Sequence, residues 1–288
     1  MRLGVVLTGI GAYAAAGAGV LRALEARGIE PHCVCGMDGG AFAAALYAMG
    51  KDAAEIRDII AKTGAAGKGL IRPTAGVHAL LTGRKTALCD GKRIEKLLLM
   101  HAGHRVLSLA DRPAVFPCKL ARNGQRIVFS TRPFEPEGAM LSMQASVSFA
   151  ARAAMGMPPL LAPIEYMGSP LLGENELAFA CRLLLQLGAQ RVLLCLPVVS
   201  LKRKPDMLDL TAIARQGDAR QAAREVHAGL LQITMPESVG ALDMDCASVI
   251  EMAGYFAARD GLDGLLEDMN MASCRILPFA KRFIAPER

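Results

Sequence analysis

The chain has 288 residues, 52% of them hydrophobic, which is enough to bury a sizeable core and excludes a mainly disordered protein. Its 33 lysines and arginines against 27 acids give a net charge of +6 but are spread along the chain, and with no tryptophan and few other aromatics there is little on which to stack bases, so nucleic acid is not an expected partner. Eight cysteines lie mostly in apolar runs such as RVLLCLP and read as buried reduced thiols, while HCVC at 32–35 has no second pair at zinc spacing, so neither a disulfide scaffold, a metal nor a cofactor is expected.

In chain order, the apolar run at 3–8 predicts a short buried strand, TGIGA a glycine turn, and AAAGAGVLRALEARG a helix over about 14–27 that Gly28 stops. The same stretch imitates a secretory signal, with Met1 and Arg2 ahead of an apolar run that ends in small residues; its many glycines favour the strand, turn and helix. A strand at 32–36, a helix at 39–49 and a further helix begun by Asp52 follow. Strands alternating with helices predict an α/β fold whose mainly parallel sheet is covered on both faces.

The glycine-rich, basic stretch at 63–87 reads as a loop or lid near a pocket. From 114, AVFPCKLA, the turn NGQ and RIVFST predict a hairpin, followed by a helix at about 142–154. A helix closed by Gly188 leads to a buried strand at 191–196, and 217–233 and 245–258 read as helices around the short strand LLQITMP. The expected division is one domain over 1–265 and a C-terminal appendage over 266–288. No segment is long and apolar enough to span a bilayer, so the expected location is the cytoplasm, with peripheral membrane attachment as its variant.

One stretch carries the chemical question. VCGMDGGAFAAALYA at 34–48 joins a strand end, a glycine turn and an alanine-rich helix, the parts of a nucleophile elbow in which a GxSxG serine points into a pocket. Here Gly36, Met37, Asp38, Gly39 and Gly40 make the turn, and the central residue is Asp38. As a nucleophile, a carboxylate suits alkyl carbon better than an ester, where it would form an anhydride, and it needs a base to activate water. None of His32, His78, His101, His104 and His227 lies in a motif beside the turn. As a helix anchor, Asp38 would accept N–H groups at the positive end of the dipole, contributing about 1 kcal/mol, and would also reach the donors of the Gly9–Gly11 loop. The anchor is the simpler reading.

Several collinear segments between residues 3 and 260 resemble the patatin-like phospholipases, a family of lipid acyl hydrolases. TGIGAYAAAGAGVLRALEARGI matches their GGGxRG loop and the helix ending GVLxxLE, and GMDGGAFAAALYA matches their GTSAG elbow. ASVSFAARAAMGMPPLLAPIEYMGSPLLGENE resembles the serine-rich helix and proline turn that precede the family's DGG loop, and LLQLGAQRVLLCLP follows as expected. The resemblance implies a three-layer α/β/α fold, a serine nucleophile, a DGG aspartate that takes its proton, and backbone donors for the oxyanion.

Both halves of that dyad are missing. The serine position is Asp38, and the chain has no serine before Ser108. The DGG position is GSP at 168–170, which puts Gly168 in place of the aspartate, and no aspartate lies between Asp111 and Asp206. In the oxyanion-type loop Gly9 and Gly11 are kept, but Ile10 replaces the middle glycine, Tyr13 the arginine and Ala14 the glycine after it. The resemblance thus implies a catalytically silent member whose candidate partners are a lipid or acyl ligand or another protein. Two alternatives stay open. One is a hydrolase of altered chemistry that pairs Asp38 with Glu165, Glu174, Glu176 or a histidine. The other is a membrane-surface or scaffolding protein that meets anionic lipid through 63–87 and KRK at 202–204.

Overall fold

Strand β1 (Leu3–Leu7) is buried at every position, as a central strand covered on both faces must be. Its alternating side chains feed two separate cores: Leu3, Val5 and Leu7 enter one, and Val6 enters the other. The computed structural model describes residues 1–65, 82, 86–200 and 207–280. Around β1 the sheet continues with β2 (Cys33–Gly36), β3 (Ala114–Leu120), β4 (Arg126–Ser130), β5 (Ala139–Ser142), β6 (Ile164–Tyr166), β7 (Ser169–Gly173), β8 (Arg191–Val198) and β9 (Gly229–Thr234). The order is β5-β4-β3-β2-β1-β8-β9, with β7 pairing β3 and β6. Strands β3, β2, β1, β8 and β9 run parallel, and antiparallel pairing is confined to the β3–β4 hairpin and to β6 and β7.

The helices are α1 (Ala16–Ala26), α2 (Gly40–Ala48), α3 (Ala53–Ala65), α4 (Lys92–Ala102), α5 (Val147–Ala154), α6 (Leu177–Gln186), α7 (Met207–Val226) and α8 (Ala247–Ala280). Helices α1, α2, α5 and α8 share the core of one face, whereas α6 packs on the other with Cys33, Cys35 and Cys181. This is the three-layer α/β/α arrangement with a mainly parallel sheet. Helix α7 belongs to both faces, because Ala212 enters the first core and Ala219 and Ala222 the second. Gln216 also donates to the carbonyl of Val199, just past the end of β8, so α7 passes over the C-terminal edge of the sheet.

Local signals explain most boundaries. Asp52 and Glu55 form a reciprocal capping box at the start of α3, with Asp52 Oδ1 2.7 Å from the Glu55 nitrogen and Glu55 Oε2 3.1 Å from the Asp52 nitrogen. Ser146 caps α5 by accepting the Phe149 N–H at 3.2 Å. Helix α1 meets α8 so closely that a Cβ on Gly19 would lie 1.9 Å from the Glu251 carbonyl oxygen.

Four expectations change. The helix placed at 142–154 begins only at Val147, and residues 139–142 are strand β5. The helix placed at 217–233 runs instead over 207–226, because residues 229–234 extend the parallel sheet beside β8. Residues 63–65 belong to α3, and α8 runs unbroken across residue 265. Most of the 63–87 stretch, His78, KRK at 202–204 and residues 281–288 lie outside the described residues. No helix among the described residues is long and apolar enough to cross a membrane.

Candidate functional site

Asp38 stands between β2 and α2 with a φ of +48°, in the left-handed region that a non-glycine residue rarely occupies. Its own carbonyl accepts the Ala41 N–H, and the Met37 N–H is held by Leu7. The side chain does not anchor the helix. The N-cap of α2 is Gly39, and no side chain caps it. The left-handed backbone at residue 38 directs the carboxylate away from the first-turn N–H groups, and it meets Arg215 of α7 instead. Arg215 Nη2 donates to Asp38 Oδ1 at 3.1 Å, while Nη1 lies 2.5 Å from Oδ2 in the same ion pair. Both side chains are buried, 5% exposed for Asp38 and 13% for Arg215. Burial raises the Asp38 carboxyl above its ordinary value, and the Arg215 guanidinium pulls it back only in part.

Main chain packs closely around the glycine loop ahead of α1. The Ala12 N–H donates to the carbonyl of Ala241 at 2.7 Å, the Gly39 N–H to that of Gly9 at 2.9 Å, and the Tyr13 N–H to that of Ile10 at 3.2 Å. Gly11, at a φ of +57°, is needed for this approach, since a Cβ there would sit 2.1 Å from the Ala241 oxygen. The Tyr13 hydroxyl, fully buried, lies 2.6 Å from Asp209 Oδ1 on α7 and 3.1 Å from the Val239 carbonyl.

A cavity of about 80 Å³ opens between this loop, α2, α3 and α4. Its walls include Ile10, Phe42, Ile60, Leu97 and Leu161, and Asp38 is the charged residue among the described lining.

The family model for patatin-like phospholipase matches residues 5–172, more than half of the chain. The chain belongs to the patatin-like phospholipase family. Among solved structures it is similar to VipD from Legionella pneumophila, with a TM-score of 0.51 at 14% identity over 91% of this chain and 67% of that one. It also matches the type III effector protein ExoU (TM-score 0.38, 14% identity, 93% of this chain and 53% of that one). A third match is human GIVD cytosolic phospholipase A2, solved with methyl gamma-linolenyl fluorophosphonate (TM-score 0.44, 12% identity, 93% and 59%). The likeness to VipD is one of fold, and this patatin-like chain spans about half to two thirds of the length of the three. No curated protein matches it.

Within this patatin-like fold, the positions named from sequence do not all converge. Gly36, Met37, Asp38, Gly39 and Gly40 form the turn, and Gly9, Ile10, Gly11 and Tyr13 form the neighbouring loop. Gly168 is elsewhere, at the tip of the β6–β7 hairpin beside Met167, with φ values of +71° and +52°. Ala121 donates to the carbonyl of Pro170, so this tip lies past the end of β3, and a Cβ on Gly168 would point into open space. Gly168 does not line the Asp38 cavity.

The glutamates proposed as partners are engaged with other residues. Buried Glu174 binds Arg126 at 2.9 Å, Glu176 binds Arg182 at 2.7 Å and Arg126, and Glu165 is exposed on β6. His32, His101, His104 and His227 also stay out of the cavity lining. What the sequence did not signal is the first half of α7: Arg215 and Asp209 lie 177 and 196 residues from the side chains they hold.

Proposed function

We propose that this patatin-like protein is a catalytically silent member of its family that keeps its cavity for an apolar, acyl-like ligand. The observation that carries the reading is the buried ion pair of Asp38 with Arg215 at the turn where the family places its serine. A fixed anion there opposes the negative charge that develops on a tetrahedral oxygen. Beside the turn, the Ala12 and Gly39 N–H groups already donate to carbonyls. Attack by Asp38 itself on an ester would give an anhydride, and the described lining offers no imidazole or second acid to activate water. The aliphatic and aromatic walls support an acyl-like occupant.

The test is hydrolysis of short- and medium-chain p-nitrophenyl esters, together with labelling by a serine-directed fluorophosphonate. The expected result is no turnover above buffer and no labelling, both for the natural protein and for Asp38→Ser. Ester turnover that Asp38→Ala abolishes would overturn the proposal.

A further inference from the structure

We infer that the Asp38 cavity is cut for a short apolar group of about three or four carbons, the alkyl end of a small molecule, and shuts out the long tail of a membrane lipid. The inference rests on the reading above that the cavity keeps an apolar, acyl-like ligand, and it sets the length of that ligand.

The walls decide the chemistry. The Asp38 carboxylate is committed to Arg215, with Oδ2 buried against the guanidinium, and Arg215 itself does not line the cavity. Thr63 carries the other polar side chain among the described lining. The remainder is aliphatic, aromatic or thioether, with Phe42, Leu161, Met155, Met157 and Met244 among it. Such a space favours a hydrocarbon group over a charged head, which would lose its hydration without gaining a partner.

Volume decides the length. A cavity of about 150 Å³ with apolar walls takes benzene, so at about 80 Å³ the space here suits roughly half as many carbons. The main chain around it is tied in place on two sides. Ala12 and Gly39 donate to Ala241 and Gly9 beside the loop, and Met157 and Leu161 exchange hydrogen bonds at 3.1 and 3.0 Å in the turn that follows α5. Ala162 adds a bond to the Cys89 carbonyl at 2.9 Å. The methionine side chains adapt to the shape of an occupant, but these ties keep the backbone from retreating to lengthen the space. A longer chain therefore leaves its extra methylenes in water at the mouth or overpacks the walls.

The experiment is an NMR titration of the full chain, carbon-13 labelled at the methionine methyl groups, with ethane, propane, butane, pentane and hexane dissolved in buffer. Shifts of the Met155, Met157 and Met244 methyl signals place the ligand. Affinity is expected to rise about fourfold per carbon from ethane to butane, the gain for burying one methylene, and then to rise by less than about twofold per carbon, or to fall, through pentane and hexane. In Leu161→Ala, which trims the wall from isobutyl to methyl, the rise of about fourfold per carbon is expected to continue through hexane. A steady rise through hexane in the natural protein, an end to the rise that Leu161→Ala does not move, or no shift of these signals with any alkane would each overturn the inference. Should Leu161→Ala fail to fold, as circular dichroism would reveal, the series on the natural protein decides alone. Alkanes have no bond to hydrolyse, so catalytic silence stands or falls on the ester assay above. A rise through hexane revises only the length of the acyl-like ligand, whereas absent binding removes the ligand from that reading and leaves its silence standing.

Discussion

At residue 38 an anion is held in a dry, left-handed turn, and its neighbours determine what that costs. Removing one member of a buried pair strands the other charge, a loss of about 3–5 kcal/mol, whereas replacing both by apolar groups is often close to neutral. Asp38→Ala is therefore expected to lower the free energy of urea unfolding by about 3 kcal/mol or more, and Asp38→Ala, Arg215→Met is expected to recover most of that loss. The pH dependence has a definite sign. Burial holds the folded carboxyl above the ordinary 3.8, so between that value and the folded one the native chain binds more protons than the unfolded chain. Stability from this group is then fully present below about pH 3.8 and is lost as pH rises through the folded value. Measured against Asp38→Asn, which does not titrate at this position, the natural protein's relative unfolding free energy is expected to decline from about pH 3 to pH 7.

At the scale of elements, two helical glycines separate conformational cost from packing. Gly217 on α7 has nothing near an added Cβ, whereas Gly19 on α1 abuts the Glu251 backbone of α8. Gly217→Ala is expected to stabilise by about 0.5–1 kcal/mol through helix propensity, and Gly19→Ala to destabilise by about 1–3 kcal/mol because backbone must move. Thermal unfolding of the two variants checks both signs. The same contrast explains what could be read in advance. Strands β1, β2, β3, β4 and β8 and helices α1, α2 and α3 announce themselves through apolar runs, glycine stops and the Asp52 cap, all of them local signals. Strands β5 and β6 are short and partly exposed, so no alternation marks them. The cap assigned to Asp38 failed because the rule assumes an extended residue ahead of the helix, and φ at 38 is positive. The first half of α7 was missed because Asp209 and Arg215 look like ordinary surface charges until the fold brings Tyr13 and Asp38 to them.

Across the whole molecule, α7 is the element that joins the two faces, with its later turns seated on α6 and β8 and its earlier turns held at the loop and turn. The two halves are therefore expected to open separately. Arg215→Ala should speed amide exchange over 208–216 while leaving 219–226 close to the natural protein, and uniform acceleration along the helix would show that it moves as one body. A last consequence follows from the carbonyl of residue 241 seated in the glycine loop. Mutation exchanges side chains, but every amino acid brings the same main-chain oxygen to that spot. Point substitution at 38 or 13 therefore leaves that oxygen in place, because the contact is written in the course of the polypeptide. Moving it demands rerouting the segment that carries residues 239–241, by deletion or insertion.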